Sequence, residues 1–352
     1  MRLSISTSAA LLGLAALTAP AHAGPLTFGE FVTSAAISAV EGQNQTIGFA
    51  YAGNKFVGSV YFGTNNNQLY STDLNGGSVA KFGAPIAGFS GEIYVTASLG
   101  LGGFGSSRDI YAGSEALGNV YRISNDGSSQ SAFVTSGISG GVRSIAFDPY
   151  GLYGNNMVVA TNSGNVYTVN SGGVATLLAN VGEDAEGLSF APQPFGTFAK
   201  GTLFVASEGS GSLRAISSSG TKTSVLTGLS GAEMVSFVPL NLGSSGNPVE
   251  GFYASAYPVD IQKAGASQFT SFLGDAVITS ETGHHVFDVH YNGTQFVVTD
   301  IGTFPAQPED GIFVTADIIQ NPVPEPETYA LMLAGLGAVG LAARRRKGSR
   351  PT

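Results

Sequence analysis

A four-strand phrase returns along this chain every 43 to 52 residues, and nothing else in the sequence limits the fold so strongly. Its clearest copy is MVVATNSGNVYTV (residues 157–169): an apolar strand, a turn and a second strand. Related hairpins are IYAGSEALGNVYRI (110–123) and LFVASEGSGSLRAI (203–216). A first strand, often ending in Phe and Pro, precedes such hairpins: IGF (47–49), EIYVTAS (92–98), IAFDP (145–149), LSFAP (188–192), VSFVP (235–239) and VFDV (286–289). Second strands read FVGSVYF (56–62), DIYAG (109–113), MVVAT (157–161), LFVAS (203–207), FYASA (252–256) and QFVVT (295–299). Third strands read QLYST (68–72), NVYRI (119–123), NVYTV (165–169), SLRAI (212–216), VDIQK (259–263) and IFVTA (312–316). Fourth strands read SVAKF (78–82), QSAFV (130–134), VATLL (174–178), TSVLT (223–227) and SQFTSF (267–272). All are short, rich in β-branched and aromatic residues, and bounded by Gly, Asn or Ser. Asn75-Gly76, Asp126-Gly127, Gly172-Gly173 and Ser219-Gly220 supply the tight turns between third and fourth strands.

The fourth strand of the sixth unit is missing from the end of the series. It is found at the other end of the chain, where GEFVTS (29–34) matches SAFVTS (131–136). A straight solenoid needs capping repeats rather than a permuted one. A ring of six blades, closed by the N-terminal strand, leaves no open sheet edge between first and last units. The expectation is therefore an all-β chain: one six-bladed β-propeller domain over residues 24–320, with a C-terminal transmembrane sorting helix. A seventh blade needs roughly 47 further residues. Residues 99–107 and 240–250 read as insertions between first and second strands.

The two ends carry topology signals. Arg2 precedes an apolar run, and Ala21-His22-Ala23 is a small-x-small cleavage site before Gly24, so residues 1–23 read as a signal peptide for signal peptidase. At the other end, Val323-Pro324-Glu325-Pro326-Glu327 forbids helix. An uncharged run of Leu, Ala and Gly follows from Tyr329, and Arg344, Arg345, Arg346 and Lys347 come after it. The run can enter a bilayer with its basic cluster on the cytoplasmic side. At about 15 residues it is shorter than the ~17–25 of a stable span, which suits a transient stop. These three parts, within residues 321–352, resemble the PEP-CTERM sorting signal. The resemblance implies an exported protein of a Gram-negative bacterium, recognised and cut by an exosortase near Pro324–Pro326. It would be held in the membrane transiently and then released to the cell surface or beyond. It also implies a link to exopolysaccharide or biofilm matrix.

Composition narrows the function classes. Residues 24–320 contain nine Lys and Arg against 22 Asp and Glu, a net charge near −13. A body this acidic is unsuited to neutralising phosphates, so nucleic acid is not expected as a partner. With no Cys, the chain has no disulfide, thiolate metal site or Cys nucleophile. No HExxH, P-loop or EF-hand is present.

Propeller ligands are sought at the channel mouth. Four residues before the Phe of each first strand stand Gln45, Arg143, Glu186 and Glu233, with His285 taken as the equivalent of the sixth unit. Glu183 and Asp184 add oxygens beside Glu186. Carboxylates on neighbouring blades, with Arg143 close by, suit a hard cation such as Ca2+ or a polar ligand. EGLSF (186–190) resembles the first-strand Glu motif of gluconolactonase-type propellers, in which that Glu binds a divalent metal; the Asn and Asp motifs of that family are missing. His285 and His290, five apart on a strand, face opposite sides and form no preset zinc site. Asp300 and the PEDG stretch (308–311) read as loop acids.

Two functions follow as expectations. One is a non-catalytic exported binding or scaffold propeller that contacts exopolysaccharide or a surface protein. The alternative is a metal-dependent hydrolase, lactonase or phosphoesterase in type, with its site at the channel mouth. The sorting expectation is checked by mass spectrometry of the exported protein. The mature chain should begin at Gly24 and end near residue 325; an intact C-terminus at Thr352 overturns processing.

Overall fold

Second strands are the most apolar segments of each unit, and burial on both faces explains why. Phe56–Val60, Ile110–Ser114, Met157–Thr161, Leu203–Ser207 and Ala276–Ser280 are buried at every position. Each lies inside a sheet that is itself sandwiched between two others, so continuous apolar runs replace the alternation of a half-exposed strand. Outer strands show the contrast: Lys222–Leu226 has no buried residue. The structure, a computed structural model, describes residues 24–63, 67–105 and 108–315.

Six four-stranded antiparallel sheets form the blades of a propeller. From the axis outward, blade one is Thr46–Tyr51, Phe56–Val60, Leu69–Thr72 and Ala80–Phe82. Blade two is Ile93–Ala97, Ile110–Ser114, Leu117–Ile123 and Gln130–Val134. Blade three is Val142–Phe147, Met157–Thr161, Asn165–Val169 and Ala175–Asn180. Blade four is Leu188–Phe190, Leu203–Ser207, Ser212–Ile216 and Lys222–Leu226. Blade five is Ala232–Phe237, Ala276–Ser280, His285–Tyr291 and Phe296–Thr303. Blade six is Gln307–Val314, Gly251–Tyr257, Asp260–Gly265 and Gly29–Val32.

The six blades and the N-terminal closure agree with the repeat. Gly29–Val32 is the outer strand of blade six, where Glu30 faces Gln262 and Val32 faces Ile261. Val32 is fully buried, and the Phe31 ring meets Phe56 at 5.2 Å and Tyr253 at 4.8 Å between centroids. The Leu26 N–H donates to the Ile301 carbonyl of blade five at 2.7 Å, so the N-terminal segment crosses two blades. The four expected turns join third to outer strands. Gly173 shows why glycine is needed there: φ is +77°, and a Cβ would stand 2.2 Å from the Phe133 carbonyl oxygen.

The last two units depart from the expected order. Residues 252–256 and 259–263 do not belong to blade five. After Ala232–Phe237 the chain crosses to blade six, forms the hairpin Gly251–Tyr257 and Asp260–Gly265, then returns to finish blade five. Residues 267–272 are not a strand; a 3-10 turn occupies Ala266–Phe269. Residues 286–289 lie on a third strand, 295–299 on an outer strand, and 312–316 begin within the innermost strand of blade six. The residues 240–250 thus connect two blades instead of two strands of one blade. The physical reason is that the true innermost strand, QPEDGIFV, carries Pro, Glu, Asp and Gly. An innermost strand has one free edge facing the channel, where Pro and a bulge are tolerated. Pattern alone therefore passes over it. The expected signal peptide and sorting segment lie outside the described residues, and among the described residues no helix is long and apolar enough to cross a membrane.

Closure through Val32 can be tested. Val32→Asp places an unpaired charge at a fully buried site and should cost about 3 kcal/mol or more, read as a lowered urea midpoint. An unchanged midpoint would show that the N-terminal strand does not hold the ring.

Candidate functional site: an acidic channel mouth

Irregular pairing aims the inner-strand side chains. Registers shift between Val142 and Ser144, between Ala232 and Val235, and opposite Ala254 and Ala256, which leaves Arg143, Glu233 and Glu309 outside the regular ladders. In blade four both the Glu186 N–H and the Gly187 carbonyl meet Ala206, at 3.1 and 3.0 Å. Bulges of this kind redirect a side chain without ending the sheet. Close blade packing then brings the carboxylates together. A Cβ on Gly187 would lie 2.4 Å from the Val235 nitrogen, so only glycine allows these two inner strands to approach as they do.

A second set of acids stands directly after the second strands. Glu115, Glu208 and Glu281 follow Ser114, Ser207 and Ser280 in blades two, four and five. Arg143 is the cation of the mouth. Its guanidinium pairs with Glu92, reaches Glu115 at 3.4 Å and Asp184 at 3.1 Å, and binds Glu186 at 2.6 Å. The Tyr94 hydroxyl donates to Glu92 at 2.8 Å and accepts from Arg143 at 3.1 Å. On the far side of Glu186 the acids lack such a partner: among the described residues, Glu208, Glu233, Glu281 and Glu309 make no ion pair with Lys, Arg or His. Gln307 donates to Glu281 at 2.5 Å and to Glu309 at 3.0 Å. One oxygen of Glu233, Oε2, is buried with no hydrogen-bond partner.

Burial under these conditions favours neutral carboxyls. Desolvation lifts Glu186 to about 7 against the opposing pull of Arg143. Glu233 and Glu309 stand well above the usual carboxylate range, through burial first and neighbouring carboxylates second. Glu281 is raised to about 7 by burial and by Glu208, and Asp310, enclosed beneath the mouth, to about 7 by burial. Burial works against the charge on Arg143, but Glu186, Asp184, Glu233 and Glu309 outweigh it and raise its pKa. A cavity of about 310 Å³ extends from Arg143, Glu186 and Glu233 down the channel.

Glutamate oxygens meet the needs of a hard cation. Glu186, Glu208 and Glu233 each offer an oxygen within 4.8 Å of the others, as do Glu233, Glu281 and Glu309. Anionic oxygen donors of this kind suit Ca2+.

The sequence-derived positions divide as follows. Arg143, Asp184, Glu186 and Glu233 converge at the mouth. Gln45 lies nearby and donates to the Tyr257 hydroxyl at 3.1 Å. Glu183 turns aside to Arg214 and Ser210; its burial is outweighed by these hydrogen bonds, which lower its pKa. His285 lies elsewhere, because its strand is third in blade five rather than innermost in blade six. Its Nδ1 is 2.8 Å from Asp300 and its ring stacks on Phe287, while His290 meets Asp288 at 3.0 Å. Glu309 and Asp310, expected in a loop, belong to the innermost strand of blade six, Glu309 buried and Asp310 half-buried. Glu92, Glu115, Glu208 and Glu281 were missed as well. The last three had a legible signal, a Ser-Glu pair closing the second strand in three blades. The sorting residues Val323 to Pro326 and Arg344 to Arg346 lie outside the described residues.

Residues 322–347 match the PEP-CTERM protein-sorting motif. The match implies export, exosortase processing and a C-terminal membrane anchor before that processing. The chain is thus an exosortase substrate with a six-bladed β-propeller body. No curated protein sequence matches it. Among solved structures it resembles a catalytically inactive virginiamycin B lyase from Staphylococcus aureus with quinupristin, at 12% identity and TM-score 0.51, over 81% of this chain and 78% of that one. A protein described as a candidate gluconolactonase is similar at 11% identity and TM-score 0.51, over 84% and 88%. At such identities the likeness concerns the fold alone.

The raised carboxyls set a pH dependence. Folded Glu186 and Glu281 keep protons up to about 7 that the unfolded chain has already lost above 4.5. Stability in a chelator is therefore highest near pH 5 and falls as pH rises through 7, with a drop in Tm of roughly 5 °C by pH 8. Glu281→Gln should flatten this fall. Calorimetry that shows Tm rising between pH 5 and 8 would overturn the assignment.

Proposed function

We propose that the exported propeller is a non-catalytic, Ca2+-dependent binding or scaffold protein. The cation sits among the Glu side chains of the channel mouth, and it or its surroundings receive an exopolysaccharide or a surface protein. The reading rests on one observation: buried Glu186, Glu233 and Glu309, from three adjacent blades, converge with Glu208 and Glu281, and of these five only Glu186 is paired with Arg143. Burying several carboxylates is costly unless a cation is shared among them. The polysaccharide partner is inferred from the sorting motif alone. In the same proposal residues 1–23 are removed by signal peptidase, residues 24–320 form the working domain, and residues 321–352 are discarded by the exosortase at the cell surface.

A second reading, the metal-dependent hydrolase, is favoured by the Glu186 carboxyl. Near 7, it could act as a general base beside a bound ion. The two are separable. Ca2+ should raise Tm at pH 7.5 by several degrees over EDTA and promote retention on matrix polysaccharide, with no turnover on lactone and phosphoester panels. Absence of any Ca2+ shift removes the cation reading. Turnover that disappears in a Glu186→Ala, Glu233→Ala double variant establishes the hydrolase instead.

A further inference from the structure

The acidic mouth repeats with the blades. In blade four the inner-strand acid is Glu186 and the acid after the second strand is Glu208; the next inner-strand acid is Glu233. In blade five the same three positions are Glu233, Glu281 and Glu309. One arrangement of donors thus occurs twice, displaced by one blade, with Glu233 common to both.

A third copy shows what the arrangement accommodates. Blade two has a variant of the set: Glu115 follows the second strand, Glu92 stands just before the inner strand, earlier than the place Glu233 holds in blade five, and the next inner-strand residue is Arg143 instead of Glu. Its guanidinium enters that copy, paired with Glu92 and 3.4 Å from Glu115. The chain supplies its own positive charge where Arg replaces Glu. The blade-four and blade-five copies carry a third carboxylate in its place; Arg143 touches the blade-four copy only at Glu186 Oε1, 2.6 Å away, and among the described residues Glu208, Glu233, Glu281 and Glu309 receive no ion pair from Lys, Arg or His. An independent sign is Glu233 itself. The residue is only 4% exposed, yet its Oε2 has no hydrogen-bond partner.

We propose that the mouth holds two divalent cations, one in each Glu trio, bridged by the Glu233 carboxylate. Glu186 and Glu208 complete the first site; Glu281 and Glu309 complete the second. A carboxylate has two oxygens, and bridging uses both, which accounts for a buried Glu shared between two donor sets. This deepens the preceding reading and rests on it, since that reading requires only one ion.

Calcium titration of the full chain by calorimetry at pH 7.5 tests the proposal, with native mass spectrometry counting the ions. Wild type should bind two Ca2+. Glu208→Gln and Glu281→Gln should each bind one, and Glu233→Gln should weaken both sites by roughly tenfold or more. Thermal melts in EDTA verify that each variant is folded. A wild-type count of one overturns the two-ion site and leaves the single-cation reading standing. A count of zero overturns both. A count of two that neither Glu208→Gln nor Glu281→Gln reduces places the ions elsewhere and overturns this assignment.

Discussion

The ring depends on one edge being covered. Six twisted sheets around an axis are stable only if the last meets the first, and here the first and last strands of the described residues meet in blade six. Gly29–Val32 pairs with Asp260–Gly265 on the outside, and Gln307–Val314 pairs with Gly251–Tyr257 on the inside. Without disulfides, closure rests on backbone pairing and on the aromatic cluster of Phe31, Phe49, Phe56 and Tyr253. The chain even leaves blade five unfinished to lay down the middle hairpin of blade six. Blades five and six are therefore interlaced, and neither can separate without drawing strands from its neighbour.

That ring converts a repeated sequence into a one-sided site. Blades put equivalent residues at equal radii, so a Glu at the same place in three successive blades becomes a cluster. Arg143 in blade three breaks the series. It gathers Glu92, Glu115, Asp184 and Glu186 around one guanidinium and makes no ion pair with Glu233, Glu281 or Glu309 of blades five and six. The mouth is thereby divided into an ion-paired half and a half in which burial raises the pKa of Glu233, Glu281 and Glu309 with no cation paired to them among the described residues.

Much of this was legible in the amino-acid order. Second strands announce themselves because they are apolar on both faces, and the turns because they demand glycine. Glu186 and Glu233 could be placed from their distance to Phe190 and Phe237. The innermost strand of blade six could not, since QPEDGIFV lacks the apolar character that marks its counterparts, and with it Glu309 was lost to a supposed loop. His285 departs from its expected place for the same reason, since Val289 lies on the third strand of blade five and not on an innermost strand. The Ser-Glu pairs after second strands were readable but carry meaning only when strand order shows that they adjoin the axis.

The interlacing has a mechanical side. The strand that bears Glu309 is also the one from which the sorting segment emerges, eight residues before residue 322. Glu309 and the exit end at Val314 lie toward opposite ends of the channel, about 17 Å apart at about 3.4 Å per residue. Tension on the tail of an anchored molecule would run lengthwise along the ladder with Gly251–Tyr257, in shear, where the hydrogen bonds share the force instead of opening one after another. Membrane tether and channel mouth thus share a single strand, and slippage of that strand would pull Glu309 out of place.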